Sequence, residues 1–356
     1  MRRLAHSALH TDTRPLFILD DQAHYLANEI RANTAEVERV IRTLKESYSL
    51  LSIDTHSEEG FLNHFFTETA THVACLNLFG LSEICGIDVY RSIEIFARTR
   101  DRAPNRVVLF GFVNPLEGEK ALERMDHQFH DLNAAAFKFY PMDPSGGPEG
   151  WWCDDPKIAY PVWEKMQSLG IKFTSIHKLP LPMIANRWQD PMDIDAAAAS
   201  FPKINFVIYH MGYPEVEKVA TICANRPNVY ADFGSPLIPA IVYKPAWFTD
   251  QLCKFLAVAP VRKICWGSDT MIAPGGQEYI EAFWDWQIPE HYQKGYGIPP
   301  LTDEDKKMVL GRTMASFLGI DPESRLHGIE GDEYSKRLGG RVREFLSRAN
   351  NGLSSA

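Results

Sequence analysis

Short apolar runs alternate with amphipathic stretches through most of this chain. Eight of the runs are β-branched or aromatic in character and read as buried strands. They cover residues 16–20, 72–78, 106–113, 135–140, 171–177, 205–210, 228–232 and 263–269. Helical periodicity fills residues 37–46, 88–100, 117–131, 156–169, 192–201, 215–225, 245–258 and 303–318. Strand–helix alternation at this spacing makes parallel βαβ units, and eight of them fit a closed (β/α)8 barrel of TIM type better than an open sheet. The acidic start Thr302-Asp303-Glu304-Asp305 and the stops at Gly170 and Gly319 support the helix boundaries.

The pattern divides the chain into a polar leader (residues 1–15), the barrel (16–323) and a C-terminal segment (324–356). That segment holds one amphipathic helix at 333–348 and a Ser/Gly tail without expected order. Long βα insertions at 27–63, 141–155, 179–191 and 270–301 would lie over the C-terminal face of the barrel, where they would wall a substrate site.

Three of the strand runs end on chemistry. His177 closes Ile171-Lys172-Phe173-Thr174-Ser175-Ile176, His210 closes Ile204-Asn205-Phe206-Val207-Ile208-Tyr209, and Asp269 follows Lys263-Ile264-Cys265-Trp266-Gly267-Ser268. Polar residues just past buried strands are where barrel enzymes place their catalytic groups. Two imidazoles and a carboxylate arriving this way form the ligand set of a hydrolytic transition-metal site.

Composition narrows the partners. The 356 residues carry a formal net charge of −9, which argues against a nucleic-acid face and against a polybasic membrane anchor. No stretch approaches the roughly 18 apolar residues of a membrane span, and no apolar segment follows the basic N-terminus. The six cysteines show no C-x-x-C spacing and read as reduced and mostly buried. The expectation is a cytoplasmic protein acting on a small molecule.

Four segments together resemble the amidohydrolase-related family, in its branch of aminocarboxymuconate semialdehyde decarboxylase-like enzymes. They are Phe137-Lys138-Phe139-Tyr140-Pro141, Ile176-His177-Lys178, Tyr209-His210-Met211-Gly212 and Trp266-Gly267-Ser268-Asp269-Thr270. The segment from Pro299 to Ile320 looks like the family's last barrel helix. The resemblance implies one divalent metal (zinc, manganese or iron) at the strand ends, and a homodimer. The family's first strand usually ends D-x-H-x-H. Here Asp20-Asp21-Gln22-Ala23-His24 keeps the second histidine and replaces the first by Gln22, whose amide oxygen is a harder and weaker ligand than imidazole. Asp54-Thr55-His56-Ser57-Glu58 is a competing match.

The implied metal ligands are His24, His177, Asp269 and His210, with Asp269 also shuttling a proton and His210 polarising the substrate. Lys138 is a site candidate. It would hold an anionic substrate or, carbamylated as in binuclear relatives, bridge a second metal; the plain alternative is a snorkelling lysine. Trp151, Trp152, Arg187, Trp188 and Trp284 fall in the insertions. They would form an aromatic substrate wall, with Arg187 or Lys178 on a carboxylate, or else pack the lid onto the barrel. The expected reaction is attack of metal-activated water on an ester, lactone, amide or thioester of a small apolar or aromatic carboxylate. Metal-dependent, non-oxidative decarboxylation uses the same residues. A catalytically inactive binding barrel is the reading that Gln22 favours.

Overall fold

The computed structural model describes residues 14–26, 57–84, 86–182, 184–270 and 276–351, and five residues between 35 and 43. Eight parallel strands lie in chain order: β1 Leu19–Ala23, β2 Val73–Leu76, β3 Val107–Gly111, β4 Ala136–Phe139, β5 Phe173–His177, β6 Asn205–Tyr209, β7 Val229–Asp232 and β8 Ile264–Cys265. The ring closes between β8 and β1. Asp21 N donates to Trp266 O (3.0 Å), Asp269 N donates to Gln22 O (3.0 Å), and Ala23 pairs with Thr270. The expected (β/α)8 barrel is therefore the fold.

Its interior follows from strand alternation. Leu19, Cys75, Phe110, Ala136, Phe173, Val207, Tyr209 and Cys265 form one buried cluster, closed at the base by Met314 and Ala315 of the last barrel helix. Thr302 and Asp305 form the capping box that starts that helix, and Gly170 and Gly319 take left-handed φ at helix ends, as expected.

Four expectations are corrected. The β1 ladder begins at Leu19, because residues 16–18 are buried without pairing as strand. β8 spans only the two residues Ile264–Cys265, and Asp269 beyond it turns to positive φ. The helix at 303–318 widens at Met308–Arg312, where Gly311 lies against the backbone of Phe17 and Leu19. The single helix at 333–348 is two helices, Glu333–Arg337 and Gly340–Asn350, broken at the flexible pair Gly339-Gly340. The helices Gly234–Tyr243, Gln277–Asp285 and Glu290–Tyr296 were not expected. The proposed helix at 37–46 and the competing Asp54-Thr55-His56 lie wholly or largely outside the described residues.

Helix Gly340–Asn350 buries Val342, Phe345 and Ala349 against the chain's own barrel, with Phe345 edge-on to Trp284. Trp284 is thus packing for the C-terminal segment. Trp151, also read as wall, is buried against Phe139 and Trp163. No helix among the described residues is long and apolar enough to cross a membrane. Phe345→Ala should cost about 3 kcal/mol of stability by emptying this contact, read as a lower denaturant midpoint. An unchanged midpoint would mean that the segment does not brace the barrel.

Candidate active site

The strand ends bring His24, His177, His210, Asp269 and Gln22 together, all nearly inaccessible to solvent. The β1 register shifts between Asp20 and Ala23. That irregularity lets two successive side chains work inside the barrel: Asp21 among its interior polar groups and Gln22 among the strand-end histidines and Asp269. His210, Met211 and Asp269 adopt positive φ (64°, 48° and 57°), a strained backbone that non-glycine residues seldom hold outside functional sites.

The side chains form a chain of contacts. His24 Nε2 lies 3.2 Å from Asp269 Oδ1. Gln22 Nε2 donates to the same oxygen (2.9 Å) and lies 3.3 Å from His210 Nε2. His210 Nε2 is 2.9 Å from His177 Nδ1. As they stand, these donors meet in pairs, and no three His, Cys, Asp or Glu among the described residues are spaced to enclose a metal ion.

The main chain fixes the ring tautomers. A carbonyl only accepts, so each ring nitrogen facing one carries the proton. His24 Nδ1 donates to Asn77 O (2.8 Å), His177 Nε2 to Leu179 O (3.0 Å) and His210 Nδ1 to Ser235 O (2.7 Å). The bare nitrogens are then His177 Nδ1 and His210 Nε2, which face each other, while His24 Nε2 faces the Asp269 carboxylate, itself only an acceptor, and donates to it. Burial pushes His177 and His210 well below the ordinary imidazole range, helped by Lys138 and by His177 respectively. Both rings are held neutral, and two lone pairs face each other across 2.9 Å. Burial pushes Asp269 up, but the hydrogen bond from His24 and the nearby Lys138 more than offset it, leaving an ionised carboxylate. Its Oδ2 accepts no hydrogen bond among the described residues. Three imidazoles backed by carbonyls, two of them bare on their inward nitrogens, and one ionised carboxylate have the donor chemistry that a divalent transition metal would take, with His24 giving up its Nε2 proton to join.

A second polar layer lies deeper. Lys138 pairs in register with Ser175, two residues below His177 on β5. Its ammonium nitrogen sits 3.1 Å from the centre of the Tyr209 ring and makes no hydrogen bond among the described residues. Burial lowers its pKa to about 7. Burial also raises Asp21 to about 7, and pushes Asp232 well above the carboxylate range with Asp21 beside it. Asp20 is likewise raised to about 7 by burial, while its Oδ1 accepts from Gln22 N and Ser268 N.

The remaining candidates have other partners. Lys178 is fully buried and donates to Asp193 Oδ2 (2.8 Å) and Trp188 O (2.9 Å). Trp152 and Trp188 meet at 5.0 Å, and the exposed Arg187 lies over the Trp188 ring. These four brace the loops after β4 and β5. Asp21, Asn77 and Asp232 were not singled out from the sequence. Asp232 ends the seventh apolar run as His177 ends the fifth, so its signal was present.

Residues 85–320 match the family described as "Amidohydrolase", well over half the chain, and the protein belongs to that family. Solved structures agree on the fold. An uncharacterized TIM-barrel protein from Bordetella bronchiseptica superimposes with a TM-score of 0.60 at 17% identity, covering 85% of this chain and 99% of that one. A dihydroxybenzoic acid decarboxylase from Polaromonas, with bound manganese and the inhibitor 2-nitroresorcinol, gives 0.56 at 13% identity, covering 85% and 97%. Over 101 residues the chain is 31% identical to the "Probable multidrug ABC transporter permease YbhS" of Escherichia coli (strain K12). That stretch is 28% of this chain and 26% of the permease, so the chain spans about a quarter of that curated relative, too little to carry an argument about activity.

Two outcomes follow. A Cβ on Gly267 would collide with Asp232 Oδ2 and lie 2.5 Å from Asp21 Oδ1. Gly267→Ala should therefore destabilise the protein by about 3 kcal/mol in chemical unfolding; a neutral substitution would contradict this packing. The second concerns pH. Asp20 holds its proton in the folded state up to about pH 7, whereas an unfolded aspartate ionises near 3.9. Between those values the folded state binds more protons, so this group's contribution to stability falls as pH rises toward 7 and levels above it. Melting of the metal-free protein from pH 5 to 8 should show that decline, and Asp20→Asn should make it shallower, leaving the share of Asp21 and Asp232. An equal slope in the variant would refute the assignment.

Proposed function

We infer that this protein is a metal-dependent hydrolase that opens an ester, lactone, amide or thioester of a small carboxylate-type substrate. The observation that carries the reading is the pair of bare nitrogens, His177 Nδ1 and His210 Nε2, facing each other at 2.9 Å. Neutral rings gain nothing from that approach, and a shared cation would relieve it. His24, His177, His210 and Asp269 are the residues that would hold a divalent metal. When bound, such a metal supplies Lewis acidity and lowers the pKa of water from 15.7 to about 7.

The chain's own residues supply the rest. Asp269, kept ionised by His24 and Lys138, accepts a proton at a carboxylate oxygen and returns it to the leaving group. The carbonyls of Asn77, Leu179 and Ser235 hold the imidazoles in one orientation, so little reorganisation is needed during reaction. Lys138 places a buried positive charge two residues below His177, which favours an anionic substrate above it. The fold likeness to a manganese-containing dihydroxybenzoic acid decarboxylase supports a second reading, loss of carbon dioxide from an aromatic carboxylate, with Asp269 delivering its proton to carbon.

Elemental analysis of wild type beside His177→Ala tests the centre. About one zinc, manganese or iron per chain is expected in the wild type, and at least a tenfold loss of affinity in the variant. Equal metal in both would remove His177 from the ligand set. A panel of esters, thioesters and aromatic carboxylates, scored for acid release against carbon dioxide release, separates the two reactions.

A further inference from the structure

Gln22 alone in the cluster carries a donor and an acceptor on one swivel. Its Nε2 offers two hydrogens and stands by two acceptors, Asp269 Oδ1 at 2.9 Å and His210 Nε2 at 3.3 Å. Its Oε1 is buried and accepts no hydrogen bond among the described residues. This is the amide orientation that a centre without a cation selects, since it matches two donors to two lone pairs. The same two lone pairs belong to the set that would hold a metal. With positive charge among them, an inward NH2 would lose its acceptors and meet like charge. Half a turn of the carboxamide exchanges nitrogen for oxygen at the same place.

Room for either end exists because Gly234 closes over the group. A Cβ there would lie 2.7 Å from Gln22 Oε1 and 2.6 Å from His210 Nδ1, and Gly234 has φ +54°. A glycine tolerates that backbone and leaves the amide its space.

We propose that Gln22 is a reversible stand-in for the metal: its NH2 bridges Asp269 and His210 in the metal-free protein, and its oxygen turns inward when a divalent cation binds. The proposal rests on the metal-centre reading above. Two consequences follow. The metal-free protein keeps its cluster assembled without metal, so binding is weaker and reversible. The atom offered to the cation is a hard, neutral oxygen, so selectivity tilts toward manganese or iron and away from zinc, relative to an imidazole at this position.

The test uses the full chain, stripped of metal, as wild type, Gln22→Met and Gln22→His. Melting is followed without metal, and zinc and manganese binding by equilibrium dialysis with elemental analysis. Gln22→Met should melt below wild type when metal-free, having lost both bridging hydrogen bonds. Gln22→His should raise the zinc-to-manganese affinity ratio by about tenfold or more, the scale on which groups around a metal tune it. An unchanged ratio in Gln22→His, or a metal-free Gln22→Met as stable as wild type, overturns the role given to Gln22 while leaving the metal centre in place. Failure of all three proteins to take up either metal overturns the metal-centre reading itself, and this proposal with it.

Discussion

The chemistry of the barrel mouth depends on where three imidazole protons go. Asn77, Leu179 and Ser235 each present a main-chain carbonyl to one ring, and each carbonyl takes that ring's proton outward. The opposite nitrogens of His177 and His210 are thereby committed as electron-pair donors pointing inward, while that of His24 meets the Asp269 carboxylate. The backbone that fixes these orientations belongs to the segments after β2, β5 and β7. A histidine free to swap tautomers would make the His177–His210 contact an ordinary hydrogen bond. These two are not free to do so without giving up a buried carbonyl contact.

The rest of the mouth serves that arrangement. Gly267 keeps β8 slim where Asp21 and Asp232 crowd beneath it, and the positive φ of Asp269 turns its carboxylate back toward His24. His210 is aimed by a left-handed turn of its own. Below, Lys138 faces two carboxyls whose burial holds their protons on. Around the mouth, Lys178 and Asp193 pin the loop after β5 while Trp152 and Trp188 pack against each other.

The barrel was legible because strand–helix alternation is a strong periodic signal. His177, His210 and Asp269 were legible as candidates because each ends or follows an apolar strand run, a position without a structural reason to be polar, whereas His24 was named only through the family resemblance of Asp20-Asp21-Gln22-Ala23-His24. Asp21 was hidden as the unassigned residue between Asp20 and Gln22, since no pattern announces a register shift in β1. Lys178 looked like a substrate contact because it follows His177. Its partner Asp193 is 15 residues on in the chain, and such pairings are set by packing that periodicity does not encode. The helix at 333–348 was drawn through Gly339-Gly340 on the strength of its apolar face, and the local cost of two glycines won.

The most direct test of the account reads the ring nitrogens themselves. Protein labelled with ¹⁵N at histidine, metal-free and then titrated with the diamagnetic ion zinc, would be followed by nitrogen NMR with single-histidine variants for assignment. The account predicts protonated Nδ1 in His24 and His210 and protonated Nε2 in His177, with zinc shifting the bare nitrogens of His177 and His210 and displacing the proton on His24 Nε2. A proton on His177 Nδ1 in the metal-free protein, or zinc that leaves the two bare nitrogens unmoved, would contradict it.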